Sequence, residues 1–139
     1  MGYRNDVLLT VAFETKEQLE EVWAVYCLNP FVQKHDLAKD WTRTEKNWTH
    51  TDKVYPTLWV SNEGIKWYDS YEDVQGFEHM HTVAQTFAEE RDFKYAWIKY
   101  RIGEDTNDIE VVDDANSEDL REYLYDHSHI RREIIHEFN

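Results

Sequence analysis

The run Val7 to Phe13 leads directly into Thr15-Lys16-Glu17-Gln18, and this junction is the tightest constraint on how the chain can begin. Val7, Leu9, Val11 and Phe13 fall on one face of an extended chain, with Thr10 and Ala12 on the other. That period of two, carried by β-branched and aromatic residues, predicts a strand. Thr15 followed three residues later by Gln18 predicts a capping box: the hydroxyl accepts a backbone N–H while the amide reaches back. Leu19, Val22, Trp23 and Tyr26 then recur at helical spacing.

Asn29-Pro30 ends this helix and opens a second, with Asn29 as N-cap and Pro30 in the first turn. Phe31, Leu37, Ala38 and Trp41 suit that short helix, and Thr42 to Pro56 reads as a loop. Leu58 to Ser61 and Ile65 to Asp69 read as two strands joined by a turn at Asn62-Glu63-Gly64. Ser70-Tyr71-Glu72-Asp73 predicts a second capping box, followed by a stripe of Val74, Phe77, His81, Ala84 and Ala88 flanked by Met80 and Phe87. Phe93 to Ile102 and Ile109 to Val112 read as strands around a turn at Gly103 to Asn107, with a loop from Asp113 to Asp119. From Leu120 the series Tyr123, Leu124, His127, Ile130, Ile134 and Phe138 fits a helix, with a strand over part of Ile130 to His136 as the alternative.

This order predicts an α+β fold: a ferredoxin-like split βαβ core with a mostly antiparallel sheet and helices on one face, plus a C-terminal hairpin and helix. The length of 139 residues fits a single domain over 1–139. Charged residues make up 32% of the chain, yet six Trp, nine Tyr and six Phe supply a core that a disordered chain lacks. Cys27 is the single cysteine, so no intramolecular disulfide can form, which favours a reducing compartment. Met1 to Asp6 has no charged-then-apolar signal pattern, and no apolar run approaches the roughly 20 residues that span a bilayer. A soluble, cytoplasmic protein is expected.

The formal net charge is -14. Such a chain repels nucleic acid and anionic lipid, so no direct nucleic-acid or membrane binding is expected, and its natural partners are basic. The charge is concentrated. Glu104, Asp105, Asp108, Glu110, Asp113, Asp114, Glu118, Asp119, Glu122 and Asp126 face a single base, Arg121, so segment 104–126 carries -9. On a strand, Asp108 and Glu110 share a face that Asp114 continues if the strand runs on, while Ile109 and Val111 face the core. Such a row can meet a basic protein surface, including as a nucleic-acid mimic, or can serve as a solvated, solubilising face. Calcium is the third reading, but Asp105, Asp108 and Glu110 lack the spacing of an EF-hand loop.

Aromatics form a second candidate set. Trp59 and Tyr68 share a face with Lys66 if the hairpin pairs as read, and Tyr95 and Trp97 share one with Phe93. They could stack a small nucleotide, or pack in the core and at protein contacts. His79 and His81 are two apart on a predicted helix and point different ways. His127 and His129 share a face only on a strand, His129 and Glu133 are spaced for a helix, and one Cys cannot complete a structural zinc site. Cys27 reads as a small core residue. No phosphate loop, nucleophile elbow or His-Glu-x-x-His is present, so neither cofactor nor metal nor catalytic residue is expected, although a small metal-dependent hydrolase is the enzyme alternative.

Met1-Gly2-Tyr3-Arg4-Asn5-Asp6-Val7 and Ile65-Lys66-Trp67-Tyr68-Asp69-Ser70-Tyr71 resemble segments of small acidic proteins of tailed bacteriophages, with Asn5 where Ser is usual. The resemblance implies a phage or prophage context and a bacterial cytoplasm, and it carries no catalytic residues. By analogy with small acidic phage inhibitors, it points to a binding protein or inhibitor directed at a nucleic-acid-binding or host-defence protein.

Overall fold

β1 (Arg4–Phe13) is the centre of the sheet and is buried along nearly its whole length. It pairs antiparallel with β3 (Thr57–Lys66) on one side and with β4 (Tyr95–Ile102) on the other. β2 (Thr42–Thr44) and β5 (Ile109–Ala115) form the two edges, so the antiparallel sheet runs β2-β3-β1-β4-β5. The computed structural model describes residues 4–35, 42–44, 55–105, 107–130 and 134–136. Over these residues the chain is the mixed α+β domain expected from the order of its elements.

A strand buried on both faces needs a cover on each. Val7, Leu9, Val11 and Phe13 meet α1 (Lys16–Tyr26), α2 (Pro30–Lys34) and α3 (Glu72–Glu90) through Leu19, Val22, Tyr26, Phe31, Phe77 and Met80. Leu8 and Ala12 point the other way, where Leu120, Tyr123 and Leu124 of α4 (Glu118–His127) close a second layer with Trp59, Ile98 and Tyr100. α1 to α3 thus share one face as expected, and α4 covers the face left open in the sequence reading. Each fully buried Leu or Phe contributes about 1.5–3 kcal/mol relative to exposure.

The capping predictions divide. Thr15 accepts from the Gln18 N–H at 3.3 Å and the Gln18 amide accepts from the Thr15 N–H at 3.2 Å, completing the box. Asn29 caps α2 with Pro30 in the first turn. Ser70 does not cap α3: the N-cap is Tyr71, without a side-chain bond, and Asp73 is committed elsewhere. α2 ends at Lys34, while Leu37, Ala38 and Trp41 lie outside the described residues.

The predicted hairpin at Asn62-Glu63-Gly64 is a single strand with a β-bulge. Asn5 pairs with Ile65 and Val7 with Asn62, so Glu63 and Gly64 both stand opposite Asp6. Gly64 has φ of 67°, its N–H donates to the Asp6 carboxylate at 2.8 Å, and its carbonyl accepts from Arg4 at 2.9 Å. A positive-φ glycine serves a tight turn and a bulge equally well, and β1 is long enough to pair with both halves of β3.

Other boundaries shift. β4 starts at Tyr95, not Phe93, and β5 runs on to Ala115, taking Asp113 and Asp114 out of the predicted loop. Part of the predicted 42–56 loop is β2. The C-terminal helix stops at His127, and β6 (Ser128–Ile130) pairs with β7 (Ile134–His136), so the strand alternative holds there. Phe138 lies outside the described residues.

The α2–α3 contact depends on Gly76. The Asn29 amide donates to the Gly76 carbonyl at 3.0 Å while its oxygen accepts from the Phe31 N–H at 2.8 Å. A Cβ on residue 76 would lie 2.8 Å from the Asn29 oxygen and 3.2 Å from both the Phe31 nitrogen and the Pro30 ring. Gly76→Ala should therefore destabilise by about 1–3 kcal/mol by overpacking, outweighing the up to about 1 kcal/mol that alanine gains in helix propensity. Urea unfolding checks this, and a stabilised variant would show that α2 yields without cost.

Candidate functional site

β4 and β5 pair residue for residue, and the alternation sorts their side chains onto two faces. Lys99 and Arg101 of β4 point to the α1–α3 side, opposite Val112 and Glu110. The Lys99 ammonium is buried, 2.6 Å from the Glu78 carboxylate on α3 and 3.5 Å from Glu110. The Arg101 guanidinium donates to both Asp108 oxygens at 3.1 and 3.2 Å and to the Asn5 side-chain oxygen at 2.7 Å, with Glu110 at 3.8 Å. Asp114 accepts from the Tyr95 hydroxyl at 3.3 Å. Burial, reinforced by the charges of Asp114 and Glu89, pushes the Tyr95 phenol up to about 12.

On the opposite face, Asp113 pairs with Arg121 at 3.2 Å and accepts a short hydrogen bond from the Tyr125 hydroxyl. Partial burial and then this bond push the Tyr125 phenol up to about 12. Ser117 accepts from the Leu120 N–H at 3.4 Å at the start of α4. Glu118 and Asp119 occupy the helix's first turn, where carboxylates complement the macrodipole. With Leu120, Tyr123 and Leu124 packed on the sheet, Glu118, Asp119, Glu122 and Asp126 face outward. Glu104 and Asp105 lie exposed in the β4–β5 turn, where Glu104 accepts the Arg4 N–H at 2.6 Å.

The predicted acidic segment therefore wraps the β5 edge from both sides. Glu110 and Asp114 share a face as the alternation requires. Asp108, Glu110 and Asp113 are engaged by the chain's own bases, and Glu104, Asp105, Glu118 and Asp119 are exposed. One part of the reading is corrected: Ile109 and Val111 do not face the core. They are 40% and 41% exposed, with Val112 at 38%, because β5 is an edge and α4 sits mainly over β4 and β1.

The aromatic set does not assemble. Trp59 lies in the α4 layer at 7% exposure, while Tyr95 and Trp97 lie under α3 at 3% each. Tyr68 is exposed but beyond the end of β3, stacked with Tyr71 at 5.1 Å. The bulge at Gly64 and the double cover of the sheet separate these residues, so Trp59, Tyr95 and Trp97 are core packing rather than stacking plates. His81 is half-buried on the Trp97 ring at 4.2 Å. Burial and the Lys99 charge hold its pKa below the ordinary value. Cys27 packs against the core as read. Among the described residues no group of three His, Cys, Asp or Glu is placed to hold a metal ion, and the His127 and His129 side chains lie outside them. No helix among the described residues is long and apolar enough to cross a membrane.

The sequence reading missed a buried ion pair. Asp73 in the first turn of α3 lies 3.0 Å from His35 and 3.5 Å from Lys34, both on or next to α2. Nothing in a local window links residues 38 positions apart. Beside the pair lies an open groove of about 500 Å³, bordered by Lys34, Lys66 and Tyr71.

A scan against protein-family models finds no match, and neither the curated proteins nor the solved structures give one.

Burial works to raise the Asp73 pKa, but the His35 hydrogen bond and the Lys34 charge outweigh it and hold the carboxyl below its ordinary value. A depressed folded-state pKa stabilises at pH values above the unfolded pKa of about 3.9, and that contribution is lost as pH falls through the folded value. Asp73→Asn should thus cost about 1–2 kcal/mol at pH 7, and the gap from wild type should close below pH 4. Urea unfolding across this range checks it; a gap independent of pH would show that the charge is not involved.

Proposed function

We propose that the protein is a non-enzymatic binding protein that engages a basic surface of another protein through the β5 edge and the outward side of α4. The observation that carries this reading is the composition of that edge. Ile109, Val111 and Val112 are exposed there amid Glu110, Asp113 and Asp114, with Glu104, Asp105, Glu118 and Asp119 around them. Exposed aliphatic side chains supply area to bury, and the surrounding carboxylates steer and orient a cationic partner.

Lys99, Arg101 and Arg121 interleave with the carboxylates, so the surface is a mixed pattern rather than an unbroken row of negative charge. This favours a basic protein surface with apolar content over a mimic of a phosphate backbone. The resemblance of the opening and of residues 65–71 to small acidic phage proteins supports a nucleic-acid-binding or host-defence protein as the partner class.

The test compares wild type with a variant carrying Glu104→Gln, Asp105→Asn, Glu118→Gln and Asp119→Asn. Each is immobilised in nuclease-treated bacterial lysate and eluted in salt steps. Wild type should retain a basic protein that moderate salt releases, and the variant should lose most of it. An identical retained set from both proteins would overturn the reading.

A further inference from the structure

We propose that β5 accepts an extended segment of its partner as an added antiparallel strand, and that this segment alternates basic and aliphatic residues. The inference rests on the basic-partner reading above and specifies how that partner is held.

The hydrogen-bond ladder identifies the open side of β5. Gly103 donates to the Asp108 carbonyl at 2.7 Å and Asn116 to the Tyr95 carbonyl at 3.2 Å, at the two ends of the β4–β5 pair. With Arg101 opposite Glu110, Lys99 opposite Val112 and Trp97 opposite Asp114, the antiparallel alternation turns the backbones of Glu110, Val112 and Asp114 toward β4. The backbones of Ile109, Val111, Asp113 and Ala115 face the other way. Two of these four N–H groups are occupied: Ile109 donates to the Asn107 carbonyl at 3.0 Å and Ala115 to the Asp114 side chain at 2.9 Å. The N–H and C=O groups of Val111 and Asp113 thus form the middle of the edge, a short ladder with its ends closed.

Side chains set the sequence that this ladder selects. On the α1–α3 face an incoming strand meets Glu110, Val112 and Asp114; on the α4 face it meets Ile109, Val111 and Ala115, together with Asp113, whose carboxylate is already paired with Arg121. Lys or Arg on the first face and aliphatic residues on the second satisfy both, because directly opposed pairs on one face interact. A second copy of this chain is a poor occupant, since it would set its own carboxylates against these. An edge left open among the described residues is a template for pairing, and the net negative charge around it favours a cationic strand. In an antiparallel addition, the residue opposite Val111 has its side chain on the α4 face and its N–H toward β5. The N–H groups used are therefore those of the aliphatic residues, not of the lysines.

The test uses a labelled nine-residue peptide alternating Lys and Val, titrated with the full-length protein at low salt by fluorescence anisotropy. Its controls are a peptide of the same composition with the lysines grouped, and two alternating peptides N-methylated either at the valines or at the lysines. The alternating peptide should bind at least ten-fold more tightly than the grouped one. Methylation of the valines should abolish that advantage and methylation of the lysines should spare it. Val111→Pro, which removes an outward N–H from an edge strand, should weaken binding by a similar factor. Equal affinity for the alternating and grouped peptides, or equal effects of the two methylations, would overturn strand addition while leaving the basic-partner reading in place. Failure of every lysine peptide to bind would also overturn strand addition. The basic-partner reading would then fall as well only if the acid-to-amide variant retained the same lysate proteins as wild type.

Discussion

The structure depends on the burial of β1 on both faces. A strand with one solvated face needs only one layer of helices, and the Val7, Leu9, Val11 and Phe13 face alone would be met by α1 to α3. Leu8 and Ala12 impose a second cover, which α4 provides with Leu120, Tyr123 and Leu124. The central position of β1 also requires a strand on each side, and both β3 and β4 pair with it along most of its length. The edges, and with them the exposed surface of β5, follow from that arrangement.

Polar groups within this frame are placed where the layers meet. The Tyr26 hydroxyl donates to the Met80 carbonyl at 2.7 Å, tying α1 to α3, and burial raises its pKa. Asp73 ties α3 to α2 through His35 and Lys34. Lys99 is held between Glu78 and Glu110 and so joins α3 to β4 and β5. A buried ammonium is costly without such partners, which is why two carboxylates of this acidic chain are spent internally. Much of the charge that remains lies on the β4–β5 turn and on α4.

Local patterns were legible wherever neighbours in sequence are also partners in space. The Thr15–Gln18 box, the Asn29-Pro30 start of α2 and the alternation of Glu110 with Asp114 all depend on separations of a few residues. The readings that failed concern distant partners. Local sequence around Gly64 fits a turn, because its bulge requires Asp6, which is 58 residues away. Ser70 fits a cap locally, because nothing nearby announces the pairing of Asp73 with His35. Ile109 and Val111 fit a core face by alternation alone, because an edge strand and a central one share the same periodicity. For Trp59, Tyr95 and Trp97 the core-packing reading holds, but no local sign says which layer covers each.

The α+β class, the order of most strands and helices, and the concentration of acid between Glu104 and Asp126 are legible in the amino-acid order alone. These follow from side-chain period, capping chemistry and charge, which act over a few residues. Tertiary packing was needed to make β5 an edge, to set α4 on the opposite face from α1 to α3, and to bring Asp108, Glu110 and Asp113 to the chain's own bases. Those outcomes depend on which elements pack together, and packing is set by contacts between residues tens of positions apart, about which local periodicity carries no information.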